Sequence, residues 1–202
     1  MRDTNGVGLT GLAIEAGAEV ASAARVADER EATVAALRDA LRADVVVACG
    51  GVSVGTHDHV KPALADLGVE PAFWGVALRP GKPTWFGTRG DALVFGLPGN
   101  PVSAMVTFHL FVRPALLALA GAARPRTVVE ATMDEPYAKG PGRAHVVRCA
   151  VEARDDGWHV RPTGPQGSHV LTSMLGAGAL ALLPADRGDV AAGERVEIEF
   201  LP

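Results

Sequence analysis

Asp44-Val-Val-Val-Ala-Cys49 runs without a break into Gly50-Gly-Val-Ser-Val-Gly55, and this junction decides the fold. An unbroken short apolar run reads as a strand covered on both faces, the pattern of a strand inside a parallel sheet. A helix from about Asp58 to Leu67, closed by Gly68, is expected after the glycines. Strand, glycine loop and helix in this order form a unit that places a ligand beyond the carboxyl ends of the strands. On the N-terminal side, Asp28 and Glu31 have capping-box spacing, and Val34, Leu37 and Leu41 recur at helical intervals. Val20 to Val26 reads as a strand, and Gly8 to Ala16 as a helix ending at Gly17. On the C-terminal side, strands are expected at Ala72 to Leu78, Thr84 to Phe86 and Ala92 to Phe95, with a hairpin turn at Thr88-Arg-Gly-Asp91. Asn100 is a good N-cap and Pro101 sits at the first helical position. The helix that follows, Val102 to about Leu119, is apolar enough to require burial on most sides.

Gly121 to Pro125 reads as a linker, after which the pattern changes from alternating helix and strand to strand alone. Alternation marks strands at Thr127 to Thr132, Ala144 to Ala153, Trp158 to Pro162, Ala179 to Leu183 and Arg195 to Phe200, with Asp155-Asp-Gly157 a turn between two of them. The expected architecture is an α/β domain over residues 1–122 and a small all-β barrel over 126–202.

With 48% hydrophobic and 21% charged residues among 202, the chain fills a real core. A net charge of −4 and only 5% aromatic residues argue against nucleic acid as a partner, so any anion must be held by a local site. Cys49 and Cys149 form no Cys-x-x-Cys and read as reduced thiols. No apolar run reads as long enough to span a bilayer, and the expected location is the cytoplasm.

Five segments carry candidate chemistry. Gly50, Gly51, Ser53 and Gly55 offer backbone N–H groups and a hydroxyl to an anion, against the plain alternative of a tight turn without ligand. Asp58 in Gly55-Thr-His-Asp-His-Val-Lys61 is either a helix cap or a carboxylate placed for Mg²⁺. Arg79 and Lys82 flank the Pro-Gly turn of Leu78-Arg-Pro-Gly-Lys-Pro83, as a cationic clamp or a solvated turn. Pro98, Gly99, Asn100, Pro101 and Ser103 belong to the strand-to-helix turn Gly96-Leu-Pro-Gly-Asn-Pro-Val-Ser103. A fifth lies in the all-β part, where Arg143 or Arg148 is expected to reach an anionic ligand and Ser168 to hydrogen-bond one, against the plain alternative of solvated loop residues; His109 and His145 read as packing or surface residues.

Taken in order, Asp3-Thr-Asn5, Gly17-Ala-Glu-Val20, Gly50-Gly-Val-Ser-Val-Gly55, Arg79-Pro-Gly-Lys-Pro83, Gly96-Leu-Pro-Gly-Asn-Pro-Val-Ser-Ala-Met-Val-Thr-Phe108 and Gln166-Gly-Ser-His169 resemble the molybdopterin molybdenumtransferase family, including the corresponding domain of gephyrin. The resemblance covers nearly the whole chain. It implies a molybdopterin-binding three-layer α/β domain followed by a small β-barrel. It also implies a reaction in which adenylylated molybdopterin and molybdate, with Mg²⁺ as cofactor, yield molybdenum in the dithiolene and free AMP. In this sequence the glycine loop and the Leu-Pro-Gly-Asn-Pro turn would cradle pterin and phosphate. Asp28 and Asp58 match the acidic positions near metal and adenylate, and Arg79 and Lys82 match the cationic turn. Arg143, Arg148 and Ser168 would belong to the barrel's share of the molybdate site.

Family members carry two further N-terminal domains, and their α/β domain opens with a strand leading to a Thr-Gly-Asp-Glu-type turn, whereas this chain begins at Met1-Arg-Asp-Thr-Asn5. The resemblance therefore implies an open sheet edge, and a homodimer or a pairing with a chain that supplies the missing domains. Arg79 stands where the family often has lysine, which changes the shape of the clamp while keeping its charge. A non-catalytic molybdopterin-binding or scaffolding module is the alternative expectation. A molybdopterin adenylyltransferase or competence-protein-like domain would lack both the barrel and the Gln-Gly-Ser-His loop.

Overall fold

The computed structural model describes residues 3–51, 59–122 and 127–202. These residues divide into two compact units, one of residues 1–76 and 81–124 and the other of residues 77–80 and 125–202.

In the first unit, helix α1 (Thr4–Glu15) opens on Asp3, whose Oδ1 accepts the Gly6 N–H at 2.8 Å. No strand forms at Val20 to Val26: this exposed stretch has no regular structure, and no ladder partner reaches it to reward the extended form. Helix α2 (Arg30–Ala40) starts one residue later than the capping-box spacing implied, with Glu29 as N-cap and Asp28 outside the helix. Strand β1 (Val45–Cys49) follows, then α3 (Val60–Asp66), β2 (Glu70–Trp74), β4 (Trp85–Arg89) and β5 (Ala92–Leu97), with β3 (Leu78–Arg79) lying in the second unit.

The sheet has the order β1-β5-β4-β2, and only β1 and β5 run parallel. It is thus mixed, and β1 is an edge strand rather than one enclosed on both sides. Three of its residues that read as core, Val45, Val47 and Cys49, are only half-buried. Helices cover both faces. Leu37 of α2 and Leu64 of α3 pack with Val46 and Val94 on one face. Leu9 of α1 and Phe108 pack with Phe95 and Leu97 on the other. Burying side chains of this size stabilises the unit by about 2–3 kcal/mol each. Phe73, Phe86 and Phe95 line up across β2, β4 and β5, with ring centroids 5.7 and 4.8 Å apart.

After β5, α4 (Pro101–Thr107) passes through a π-helical turn (Phe108–Val112) into α5 (Arg113–Leu119). Pro114 lacks the N–H that would bond the Leu110 carbonyl, and its ring crowds that carbonyl; the widened turn absorbs both. Burial is confined to the first two pieces, since α5 has no buried residue and leaves Leu119 exposed. By length and composition alone, Pro101–Leu119 is long and apolar enough to cross a membrane, contrary to the expectation from sequence. Ala104 and Phe108 nevertheless pack with Phe95 and Leu97 of the sheet, and Val102 and Val106 are fully buried.

The second unit is a barrel of β6 (Val128–Met133), β7 (Ala144–Arg154), β8 (Gly157–Pro162), β9 (Ala179–Leu183) and β10 (Arg195–Phe200). The order β7-β8-β6-β10-β9 closes through β7–β9 pairing, and β3 adds two residues parallel to β7. Val147, Cys149, Val160, Ala181 and Ile198 meet in its interior. Closure removes the free edges that a five-stranded open sheet would present.

Candidate functional site

In the first unit, the parallel strands β1 and β5 end side by side, and their following loops meet through glycines. The Gly50 N–H donates to the Leu97 carbonyl at 3.0 Å. Gly50 has φ of +84° and Gly51 of +66°, a region where a side chain is strained. A Cβ on Gly99 would stand 3.5 Å from the Gly50 Cα, so the two backbones lie against each other with nothing between. The Cys49 thiol donates to the Pro98 carbonyl at 3.3 Å. Asn5 Nδ2 donates to Cys49 Sγ at 3.2 Å and to the Gly99 carbonyl at 2.8 Å. Burial pushes the Cys49 thiol up to about 11, so it acts here as a neutral donor and acceptor rather than a nucleophile.

Asn5 Oδ1 is buried and has no partner among the described residues. A buried acceptor left unmatched costs free energy unless something donates to it, so this atom is available to a ligand N–H. In the sequence Asn5 stands only as the end of Asp3-Thr-Asn5, with no role of its own. Its only signal there was its position after Asp3 at a helix start.

Among the other candidates of this unit, Pro98 is buried, while Gly99 and Asn100 are exposed at the start of α4. Asn100 has the backbone of an N-cap, but its side chain does not bond the helix. Pro101 occupies the first turn, and Ser103 is buried in α4. Lys82 is exposed, with its carbonyl accepting the Val76 N–H at 2.9 Å. Asp28 is an exposed carboxylate in the stretch before α2. Ser53, Gly55 and Asp58 lie outside the described residues. No group of three or more His, Cys, Asp or Glu gathers to hold a metal among the described residues. Mg²⁺ does not need such a cage, because it usually takes one or two carboxylates and completes its shell with water and substrate phosphate. Asp28 has the donor chemistry for that mode.

In the second unit, β7 carries the charged candidates. Arg148 lies within the apolar run Val146-Val-Arg-Cys149 and is only 1% exposed. Its Nε donates to Ser173 Oγ at 3.2 Å, and one Nη2 hydrogen reaches the Gly167 carbonyl at a long 3.5 Å. No carboxylate pairs with it among the described residues. Burial, and less strongly Arg79, pull its guanidinium down from the usual arginine range. Ser168 is half-buried in the loop that covers Arg148, while Arg143 is exposed at the start of β7.

Arg79, exposed on β3, stands opposite His145 in the β3–β7 pairing. His145 is buried, and its Nδ1 shares a hydrogen bond of 3.1 Å with the Tyr137 hydroxyl. Burial, then Arg79, Lys139 and Arg143, push its imidazole down to about 4, so it is neutral near pH 7. The two cations of the Arg-Pro-Gly-Lys turn are thus divided: Arg79 belongs to the barrel unit and Lys82 to the first.

Sequence reasoning did not single out a third cluster. His159 lies between Asp134 (Nδ1–Oδ1 2.7 Å) and Asp156 (Nε2–Oδ1 3.0 Å). Arg154 bridges Asp134 and Glu152 at 2.8 and 2.6 Å. Every carboxylate of this cluster has a basic partner, but three carboxylates face one arginine and one histidine, so the cluster keeps a net negative charge.

Comparison with known proteins accounts for both units. The family described as "Probable molybdopterin binding domain" matches residues 1–118, and "MoeA C-terminal region (domain IV)" matches residues 130–201. The molybdopterin molybdenumtransferase of Haemophilus influenzae is 39% identical over 163 residues, which is 78% of this chain and 40% of that protein. Its counterpart in Bacillus subtilis is 31% identical over 200 residues, covering 98% of this chain and 46% of that protein. Among solved structures, a molybdopterin biosynthesis MoeA protein from Pyrococcus horikoshii superimposes with a TM-score of 0.83 at 29% identity, covering 99% of this chain and 48% of that one. The chain spans about half the length of the relatives it matches. With one family matching more than half of its residues and a second matching the barrel, the chain belongs to the molybdopterin-binding domain family and carries the two modules that close a MoeA-type molybdopterin molybdenumtransferase.

Proposed function

We propose that the chain works in molybdenum cofactor assembly, binding adenylylated molybdopterin and molybdate and releasing AMP as molybdenum enters the dithiolene. The observation that carries this reading is Arg148, a buried guanidinium without a carboxylate partner among the described residues, in a barrel of this family. Burying an unpaired charge is costly, and a tetrahedral oxyanion repays that cost through charge-assisted hydrogen bonds.

In this reading Arg148, Arg79, Arg143 and the Ser168 hydroxyl hold molybdate. Gly50, Gly51, Ser53, Gly55 and the Pro98-Gly-Asn-Pro101 turn, with Ser103 behind it, receive the pterin and its phosphates through backbone N–H groups. Asn5 Oδ1 accepts a pterin N–H. Lys82 offsets charge on the adenylate as its phosphoanhydride bond breaks. Asp28 and Asp58 would hold Mg²⁺, which when bound supplies positive charge to the phosphate oxygens. The same reading has the protein act in the cytoplasm, as a homodimer or with a chain that supplies the preceding domains.

Purified chain incubated with adenylylated molybdopterin, molybdate and Mg²⁺ is expected to release AMP, read by chromatography. Binding without AMP would make it a non-catalytic binding module. Absence of binding would overturn the proposal.

A further inference from the structure

We infer that Gln166 and Ser173 are positioning residues that aim the Arg148 guanidinium at its oxyanion. The inference rests on the reading of Arg148 as a molybdate ligand. Strand β8 ends at Pro162, opposite Cys149, so the backbone groups of Arg148 have no strand to pair with on that side. The Gln166 side chain takes the strand's place. Its Oε1 accepts the Arg148 N–H at 2.9 Å, and its Nε2 donates to the Arg148 carbonyl at 3.2 Å. Thr163 adds its N–H to the same carbonyl at 3.0 Å. The residue is therefore held at its Cα from both sides of the peptide.

Ser173 then fixes the side chain. Its hydroxyl hydrogen is committed to the Val170 carbonyl at 2.7 Å, which turns an oxygen lone pair toward Arg148 Nε at 3.2 Å. Thr163 Oγ1 donates to the Ser173 carbonyl at 2.6 Å and ties the two segments together. Ser173 is 1% exposed, so water does not substitute for it. A guanidinium has five N–H donors, and here only Nε and one Nη2 hydrogen are engaged. The shorter bond falls on the stem nitrogen, which leaves both Nη1 hydrogens and one on Nη2 for the flat, two-point approach to an oxyanion that a lysine does not offer. The polar partners of Arg148 thus set its direction while leaving three of its five N–H donors without a partner among the described residues.

The test uses the full chain with inorganic molybdate as probe, isothermal titration calorimetry for affinity, thermal denaturation for folding, and the Arg148 Nε–H signal in ¹H–¹⁵N NMR. Ser173→Ala and Gln166→Glu are each expected to weaken molybdate binding about tenfold, the effect of losing one hydrogen bond to a charged group. Melting should stay close to the wild type, and the Nε–H signal should be lost to solvent exchange in Ser173→Ala, a change that a purely structural serine would not produce. Ser173→Thr, which keeps the hydroxyl, should restore binding. If both variants bind molybdate as the wild type does while Arg148→Met does not, the inference is overturned and Arg148 stands as the ligand. If Arg148→Met binds normally, the molybdate reading falls and takes the inference with it. Should Ser173→Ala fail to fold, Gln166→Glu decides alone, with wild-type affinity counting against the inference.

Discussion

Strand β7 begins and ends in opposite electrostatic surroundings. At its start, His145 sits among Arg79, Lys139 and Arg143, and its imidazole is pushed down to about 4. Toward its far end, Glu152 pairs in register with His159, whose imidazole is raised by Asp134 first and Asp156 next. The far cluster is closed, because its carboxylates and bases satisfy one another. The near one is open: among the described residues, Arg79, Arg143 and Arg148 have no carboxylate partner. One barrel thus contains a paired, net acidic patch, which has little to offer an anion, and an uncompensated cationic patch, which does.

Lys139 limits that conclusion and gives the largest test. It too is a buried cation, 2% exposed, but its Nζ faces three carbonyls, those of Arg187 at 2.5 Å and of Gly140 and Ala185 at 3.4 Å. It is a clip for the loop, so Lys139→Met should cost about 2–3 kcal/mol in denaturant unfolding with molybdate affinity unchanged. A loss of affinity at wild-type stability would instead move Lys139 into the anion site. Next in size, Arg79→Glu should weaken molybdate binding at least tenfold in calorimetry, since it reverses a charge facing the open patch. Undiminished affinity would break the contrast between the two ends.

The histidines give smaller, opposite effects on the stability of the barrel against pH. His145 has a depressed value in the folded state, so its contribution is complete above about 6.5 and is lost as pH falls toward 4. His159 has a raised value, so its contribution is complete below about 6.5 and is lost as pH rises through the folded value. His145→Gln should flatten the acid limb of a melting-temperature profile, and His159→Gln the limb above pH 6.5. If each variant flattened the other's limb, the assignment of the two fields would be reversed. The smallest effect is expected for Glu152→Gln, an exposed partner of Arg154, at no more than about 0.5 kcal/mol.

The barrel was the more legible half of the sequence. Alternation placed β9 and β10 at their observed residues and β6, β7 and β8 within a residue of theirs, because local pattern and the Asp155-Asp-Gly157 turn both act over short range. In the first unit, Val20 to Val26 has strand composition, but a strand requires a neighbour, and composition does not say whether one is present. The Asp28–Glu31 spacing was equally real, and the helix began at Arg30 instead. The sites follow the same division. Glycine turns announce themselves, whereas Arg148, named with Arg143 as a candidate, is set apart from it only when its burial and the absence of a carboxylate among the described residues are seen together. An arginine inside Val146-Val-Arg-Cys149 was the available signal. The balance of charges around His145 and His159 depends in part on Arg79 and Asp134, which lie far from them in sequence and outside any local window.

The short strand β3 has a bearing on how such a chain can be cut and rejoined. Residues 77–80 leave the first unit, pair with β7 and return before β4. A barrel transplanted from residue 126 onward would therefore arrive without one of its strands and without Arg79. A gene fusion that moves the C-terminal module alone would transfer its shape and leave behind part of its charge. The two halves can be inherited together more readily than they can be exchanged.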